Sequence, residues 1–128
     1  MSSRPKKRKA VDIQALLPLP HAVLHLLLGV AQGERHGYAL KREIAERTGG
    51  QVILGPGALY GSIQKMLSWG LIEESEDRPE SHLDDQRRRY YRITPAGQQV
   101  LEAELKRMQA ILSAAKNELP RPVFEEAQ

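Results

Sequence analysis

The sequence predicts a mostly α fold with a two-stranded β-wing, a winged helix-turn-helix followed by a C-terminal dimerisation helix, and three observations carry that prediction. Three apolar-periodic segments precede two short alternating runs, which is the element order of such a fold. The third segment, GPGALYGSIQKMLSWGLI, opens with Gly55, Pro56, Gly57 and Gly61, so small residues recur along its first two turns. The final segment repeats Leu101, Leu105, Met108, Leu112 and Ala115 at spacings of 4 and 3, an a/d heptad seam.

From about Pro20 to Gln32 the chain is apolar nearly all round (Val23, Leu24, Leu26, Leu27, Leu28, Val30), so this helix is expected to be buried. Gly33 stops it. A second helix, about Gly37 to Thr48, mixes Tyr38, Leu40 and Ile44 with Lys41, Arg42, Glu43 and Glu46, and Gly49-Gly50 closes it. The third runs from about Pro56 to Trp69, with proline in the first turn, where its missing N–H is not needed. Leu59, Ile63, Met66 and Leu67 turn inward, leaving Gly57, Ala58, Gly61, Ser62 and Lys65 on the other side. Strands are expected over 71–76 and 87–94; on the second, Tyr91 and Ile93 share one face and Arg88, Tyr90 and Arg92 the other. Thr94-Pro95 reads as an N-cap with proline after it, and the fourth helix continues to about Asn117, short of Pro120 and Pro122. The chain thus divides into a basic arm (1–12), a winged helix-turn-helix (13–94), a dimerisation helix (95–117) and a tail (118–128).

Composition narrows the function. The 128 residues suit one domain, and 41% hydrophobic with 27% charged residues fits a soluble globular chain rather than a disordered or membrane-embedded one. The absence of cysteine excludes disulfides and thiolate metal sites. Net charge is only +3, yet Arg4, Lys6, Lys7, Arg8 and Lys9 stand against Asp12 alone in the first twelve residues. Like charges repel, so a mobile arm is expected there, either a solvated tail or a DNA-contacting one. The basic start before LLPLPHAVLHLLLGVA imitates a signal peptide, but Pro18, Pro20, His21 and His25 interrupt the apolar run, and a cytoplasmic protein is expected.

The small residues Gly57, Ala58, Gly61 and Ser62 would let the third helix approach phosphates and base edges, where its N-terminal dipole favours anions. Lys65 adds a cation. The alternative is that the glycines fill tight crossings inside the molecule. Seven acids lie between Glu73 and Asp85 with only Arg78 among them, so the wing tip is expected to point away from phosphate and Arg87, Arg88 and Arg89 at its base to attract it.

Three motifs add specificity. HGYALKREIAERTGG, GPGALYGSIQKMLSWGLIE and RRRYYRITPAGQQVL, in order over residues 22–105, closely resemble the PadR family of transcriptional regulators, whose members read HGYEI-like, SPGTLYPALKRLEEEGLI-like and RKYYRIT-like. The resemblance implies a homodimeric winged-helix repressor of the short-tailed branch, with a single C-terminal helix, that releases DNA on binding a small molecule. It carries DNA contact onto Pro56, Gly57, Tyr60, Lys65, Arg88 and Arg89. Gly55, Ala58 and Gly61 stand where the family usually has Ser, Thr and Pro, which removes two hydroxyls and implies a different operator or contact set.

The last helix, roughly 35 Å long at 1.5 Å per residue, outruns a three-helix core. Its seam, flanked by Glu102, Glu104, Lys106, Arg107 and Lys116, is expected to pair with a second copy, setting two recognition helices roughly 34 Å apart on an inverted-repeat operator of double-stranded DNA. Trp69 with Met108 is the candidate pocket for a small aromatic effector. His21 and His25, one turn apart, lack a third ligand nearby in sequence, although His36 or His82 could approach, and no metal or other cofactor is expected. No nucleophile motif or phosphate-cradling loop is present, so no enzyme is expected. A ligand-binding or protein-interaction module without operator binding, and a metal sensor, stay open as other functions.

Overall fold

The computed structural model describes residues 11–75 and 89–120. The elements are α1 (Ile13–Leu16), α2 (His21–Ala31), β1 (Arg35–His36), α3 (Gly37–Arg47), α4 (Pro56–Ser68), β2 (Ile72–Ser75), β3 (Tyr90–Ile93) and α5 (Pro95–Glu118). The four long helices and both wing strands lie where the apolar periods put them. Among the described residues no helix is long and apolar enough to cross a membrane.

Two elements are additions to that expectation. α1 is a single turn capped by Asp12, whose carboxylate accepts the Ala15 N–H at 3.4 Å, so Asp12 belongs to the folded body and not to the arm. β1 pairs with the free edge of β3, Arg35 opposite Tyr91 and His36 opposite Tyr90. The expected two-stranded wing is present, and β1 extends it to a three-stranded antiparallel sheet in the order β1-β3-β2. Both additions are too short to show a period.

α2 occupies the centre, packed against α3, α4, β3 and α5. Its Val23, Leu26, Leu27 and Val30 meet Leu40 and Ile44 of α3, Leu59, Ile63 and Met66 of α4, Tyr91 of β3 and Val100 of α5 in one apolar core. Burial, with Glu74 adding to it, pushes the Tyr91 phenol up to about 12.

The junction between α4 and α5 is tightly built. Gly70, at φ 78°, makes the left-handed turn that ends α4. Thr94 then does three things: its backbone N–H donates to the Leu71 carbonyl at 3.0 Å, its hydroxyl donates to the Gly70 carbonyl at 2.6 Å, and the same hydroxyl accepts the Gly97 N–H at 3.0 Å. A Cβ on Gly97 would overlap the carbonyl oxygen of Leu71. The base of α5 is thereby clamped to the end of α4.

Beyond that clamp α5 splits in two. Gly97, Val100, Leu101 and Glu104 are buried, whereas Leu105, Met108, Ile111 and Leu112 are exposed, as is Leu119 just beyond the helix. Two expectations are corrected here. Leu101, expected in the seam, is only 7% exposed and belongs to the chain's own core. Glu104, expected as a flanking surface charge, is 2% exposed.

Candidate nucleic-acid interface

The turn from α3 to α4 is held by Thr48, whose hydroxyl donates to the Ile44 carbonyl at 2.9 Å and accepts the Val52 N–H at 3.0 Å. The chain then alternates, burying Leu54 and leaving Ile53 68% exposed. α4 starts at Pro56 with Gly55 as its N-cap, and no side chain caps that end. An uncapped helix start presents backbone N–H groups and the positive end of the helix dipole outward.

The inward stripe of α4 is Leu59, Ile63 and Met66, with Leu67 half-buried at its edge. The outward face is Gly57, Ala58, Gly61, Gln64, Lys65 and Ser68, all exposed, with Ser62 half-buried beside them. A Cβ built on Gly55, Gly57 or Gly61 would meet nothing within 4 Å. Among the described residues the glycines therefore fill no tight crossing. Gly37 shows the contrast: a Cβ there would come within 2.9 Å of the Tyr60 ring. Tyr60 is half-buried, packed across Gly37 at the α3–α4 crossing and against the core edge.

The wing is nearly charge-balanced where it is described. Arg89 pairs with Glu74 at 3.1 Å, and Arg92 pairs with Glu73 at 2.8 Å and Glu34 at 3.5 Å. Arg87 and Arg88, the acidic loop with His82, and the basic arm from Arg4 to Lys9 lie outside the described residues.

Trp69 ends α4 and, with Val11, Leu67, Ile72 and Thr94, lines an open pocket of about 910 Å³ that Glu73 and Glu74 also border. Met108 does not line it; it stands on the exposed stripe of α5, so within one chain the two expected effector contacts are apart. That stripe comprises Leu105, Met108 and Leu112, with Ala115 half-buried, extended by Ile111 and Leu119. The rings of His21 and His25 meet edge-on at 4.6 Å. Burial, then His21 and Arg47, holds the His25 imidazole below its ordinary value. His36 is elsewhere, its Nδ1 accepting the Ala39 N–H at 3.1 Å to cap α3. Among the described residues no three potential ligands gather into a metal site.

Sequence reasoning passed over Gln64, which the spacing of three from Gly61 puts on the outward face, and Ile53, for which no period gave a signal. Ile111 and Leu119 were also passed over, although Leu119 continues the heptad by four residues from Ala115.

Comparison with known proteins agrees with this geometry. A family model described as "Transcriptional regulator PadR-like family" matches residues 23–103. The chain is 34% identical over 83 residues to an uncharacterized 37.1 kDa protein in transposon TN4556 of Streptomyces fradiae, covering 65% of this chain and 21% of that protein, about a fifth of the relative's length. It is 35% identical over 88 residues to transcriptional regulator Rv3488 of Mycobacterium tuberculosis, covering 69% of this chain and 76% of that one. In fold it is similar to a transcriptional regulator from Clostridium thermocellum, with a TM-score of 0.63 at 18% identity over 89% of this chain and 99% of that chain.

Proposed function

We propose a mechanism for this chain, which belongs to the PadR-like family of transcriptional regulators: α4 enters the major groove of double-stranded DNA, and a homodimer acts as a cytoplasmic repressor on an inverted-repeat operator. One observation carries the reading. The outward face of α4 holds glycines that none of the described residues needs for packing. Gly61, in the interior of α4, costs roughly 1 kcal/mol relative to alanine, so an external close approach is its physical use, with Gly57 one turn before it on the same face. The uncapped start of α4 suits phosphate, and Lys65 on the same face supplies a cation. The Arg89–Glu74 pair is exposed, and such pairs are worth about 0–1 kcal/mol, so a phosphate can replace Glu74 as the partner of Arg89. Arg87, Arg88, Pro56, Ala58, Ser62 and Tyr60 complete the proposed contact set.

The dimer follows from α5. Leu105, Met108, Ile111 and Leu112 expose large apolar side chains along one long helix, with Leu119 just beyond its end, and a two-fold copy covers them without any new sequence. The effector is a small aromatic molecule at Trp69. That pocket borders both the end of α4 and Pro95 and Ala96 of α5, so an occupant there bears on the angle between recognition helix and dimer helix and releases the operator.

The test is fluorescence anisotropy on DNA from the protein's own upstream region, at about 0.15 M salt, where non-specific phosphate attraction is weakened. Saturable binding that survives non-specific competitor is expected. The variant Leu105→Asp should sediment as a folded monomer and lose operator preference. A variant that stays dimeric and binds normally contradicts the seam.

A further inference from the structure

Among the described residues Glu104 is the one buried charged side chain, and it sits where α5 leaves its own domain. Both carboxylate oxygens are used. Oε2 accepts the Leu19 backbone N–H at 3.0 Å and Arg107 Nη2 at 3.2 Å, and Oε1 accepts Arg107 Nε at 2.6 Å. Leu19 lies between Pro18 and Pro20, so of residues 18–20 it alone carries an N–H. That N–H is buried, and a buried donor must find a partner. Glu104 supplies it from 85 residues away in the chain.

The base of α5 is already held by Thr94 and Gly97. One fixed point leaves a rod free to tilt. Glu104 is seven residues beyond Gly97, about 10 Å further along the helix axis. Val100 and Leu101 pack between the two points, but apolar contacts are non-directional, whereas a hydrogen bond specifies a direction. The exposed stripe starts at the next residue, Leu105.

We infer that Glu104 is a positioning residue: by tying α5 to the Leu19 N–H it fixes the direction in which the dimer helix leaves the DNA-binding body, and so the separation of the two recognition helices and the half-site spacing the dimer accepts. The direction of α5 is a property of the single chain. The spacing rests on the dimeric reading proposed above.

The two parts are tested separately. The chain has no cysteine, so spin labels attach only where Gln51→Cys and Ser113→Cys place them, one on the helix-turn-helix and one on α5. Doubly labelled chain is diluted into excess unlabelled chain, and the label–label distance distribution is measured for wild type, Glu104→Ala and Glu104→Gln, each checked for folding by circular dichroism. The alanine variant should broaden the distribution about twofold or shift its mean by several ångström. The glutamine variant, whose amide oxygen still accepts the Leu19 N–H, should stay near wild type and serves if alanine fails to fold. A Glu104→Ala distribution identical to wild type, with only the melting temperature lowered, overturns the positioning role. For the spacing, inverted repeats with spacers varied in single base pairs are titrated with the same proteins. Wild type should discriminate about tenfold against neighbouring spacings and Glu104→Ala threefold or less; equal discrimination by both overturns the spacing consequence. Wild type that binds a single half-site as tightly as any inverted repeat overturns the dimeric reading instead, leaving the distance result to judge the direction of α5.

Discussion

A methyl group added at Gly97 would run into the Leu71 carbonyl, while one added at Gly61 would meet nothing within 4 Å. Both glycines lie in helices, Gly97 in the first turn of α5 and Gly61 in the interior of α4, where helix propensity disfavours glycine most. At Gly97 the cost is offset inside the molecule, because the close approach lets Thr94 clamp α5 to the end of α4. At Gly61 nothing among the described residues offsets it. A residue that the described packing does not need, at a position where it weakens the fold, is the basis of the DNA contact proposed for α4.

That contrast predicts effects of opposite sign. The largest is at Gly97→Ala, where the obstacle is backbone and cannot swing aside: a loss of about 3 kcal/mol or more, read as a chain that does not fold cooperatively in thermal melts. A well-folded Gly97→Ala would show that the α4–α5 junction is looser than described. Next comes Glu104→Ala, which leaves the Leu19 N–H buried without its acceptor and should cost about 1–3 kcal/mol by chemical denaturation. Smaller is Gly37→Ala, expected to cost about 1 kcal/mol, since the Tyr60 ring it meets is a side chain and can give way.

Acid sharpens the picture of Glu104. The Arg107 side-chain hydrogen bonds hold its carboxyl below the ordinary 4.5, against burial, which raises it, and with the Leu19 N–H helping to lower it. A carboxyl depressed in the folded state adds stability that is fully present above the unfolded value and fades as pH falls through the folded one. The gap in melting temperature between wild type and Glu104→Gln should therefore narrow as the pH falls below about 4.5. A gap that stays constant would mean that the charge of Glu104 contributes nothing.

The fold was legible where periods are long. The apolar run of α2, the inward stripe of α4 and the Thr94-Pro95 start of α5 can each be read from side-chain spacing, because each buries one face against a shared core. α1 and β1 could not, since a four-residue turn and a two-residue strand hold no period and exist through tertiary contact. The seam was legible as a pattern, but spacing says only which residues share a face and not which partner covers them. Spacing alone therefore puts Leu101 on the seam, although its own domain buries it, and Glu104 on the surface, although it faces Leu19. In the candidate interface, the small outward residues of α4 could be read directly. Their openness could not, because sequence spacing cannot say whether a neighbour stands opposite a glycine.

The smallest stability change tests the central claim most directly. Gly61→Ala, read by melting temperature and by affinity for the protein's own upstream DNA on one preparation, should stabilise the fold by roughly 0.5–1 kcal/mol, raising the melting temperature by several degrees. The added methyl should at the same time weaken specific DNA binding by about tenfold, a loss of about 1.4 kcal/mol. A more stable protein that binds DNA as tightly as before would contradict the assignment of the outward face of α4 as the DNA-contacting surface.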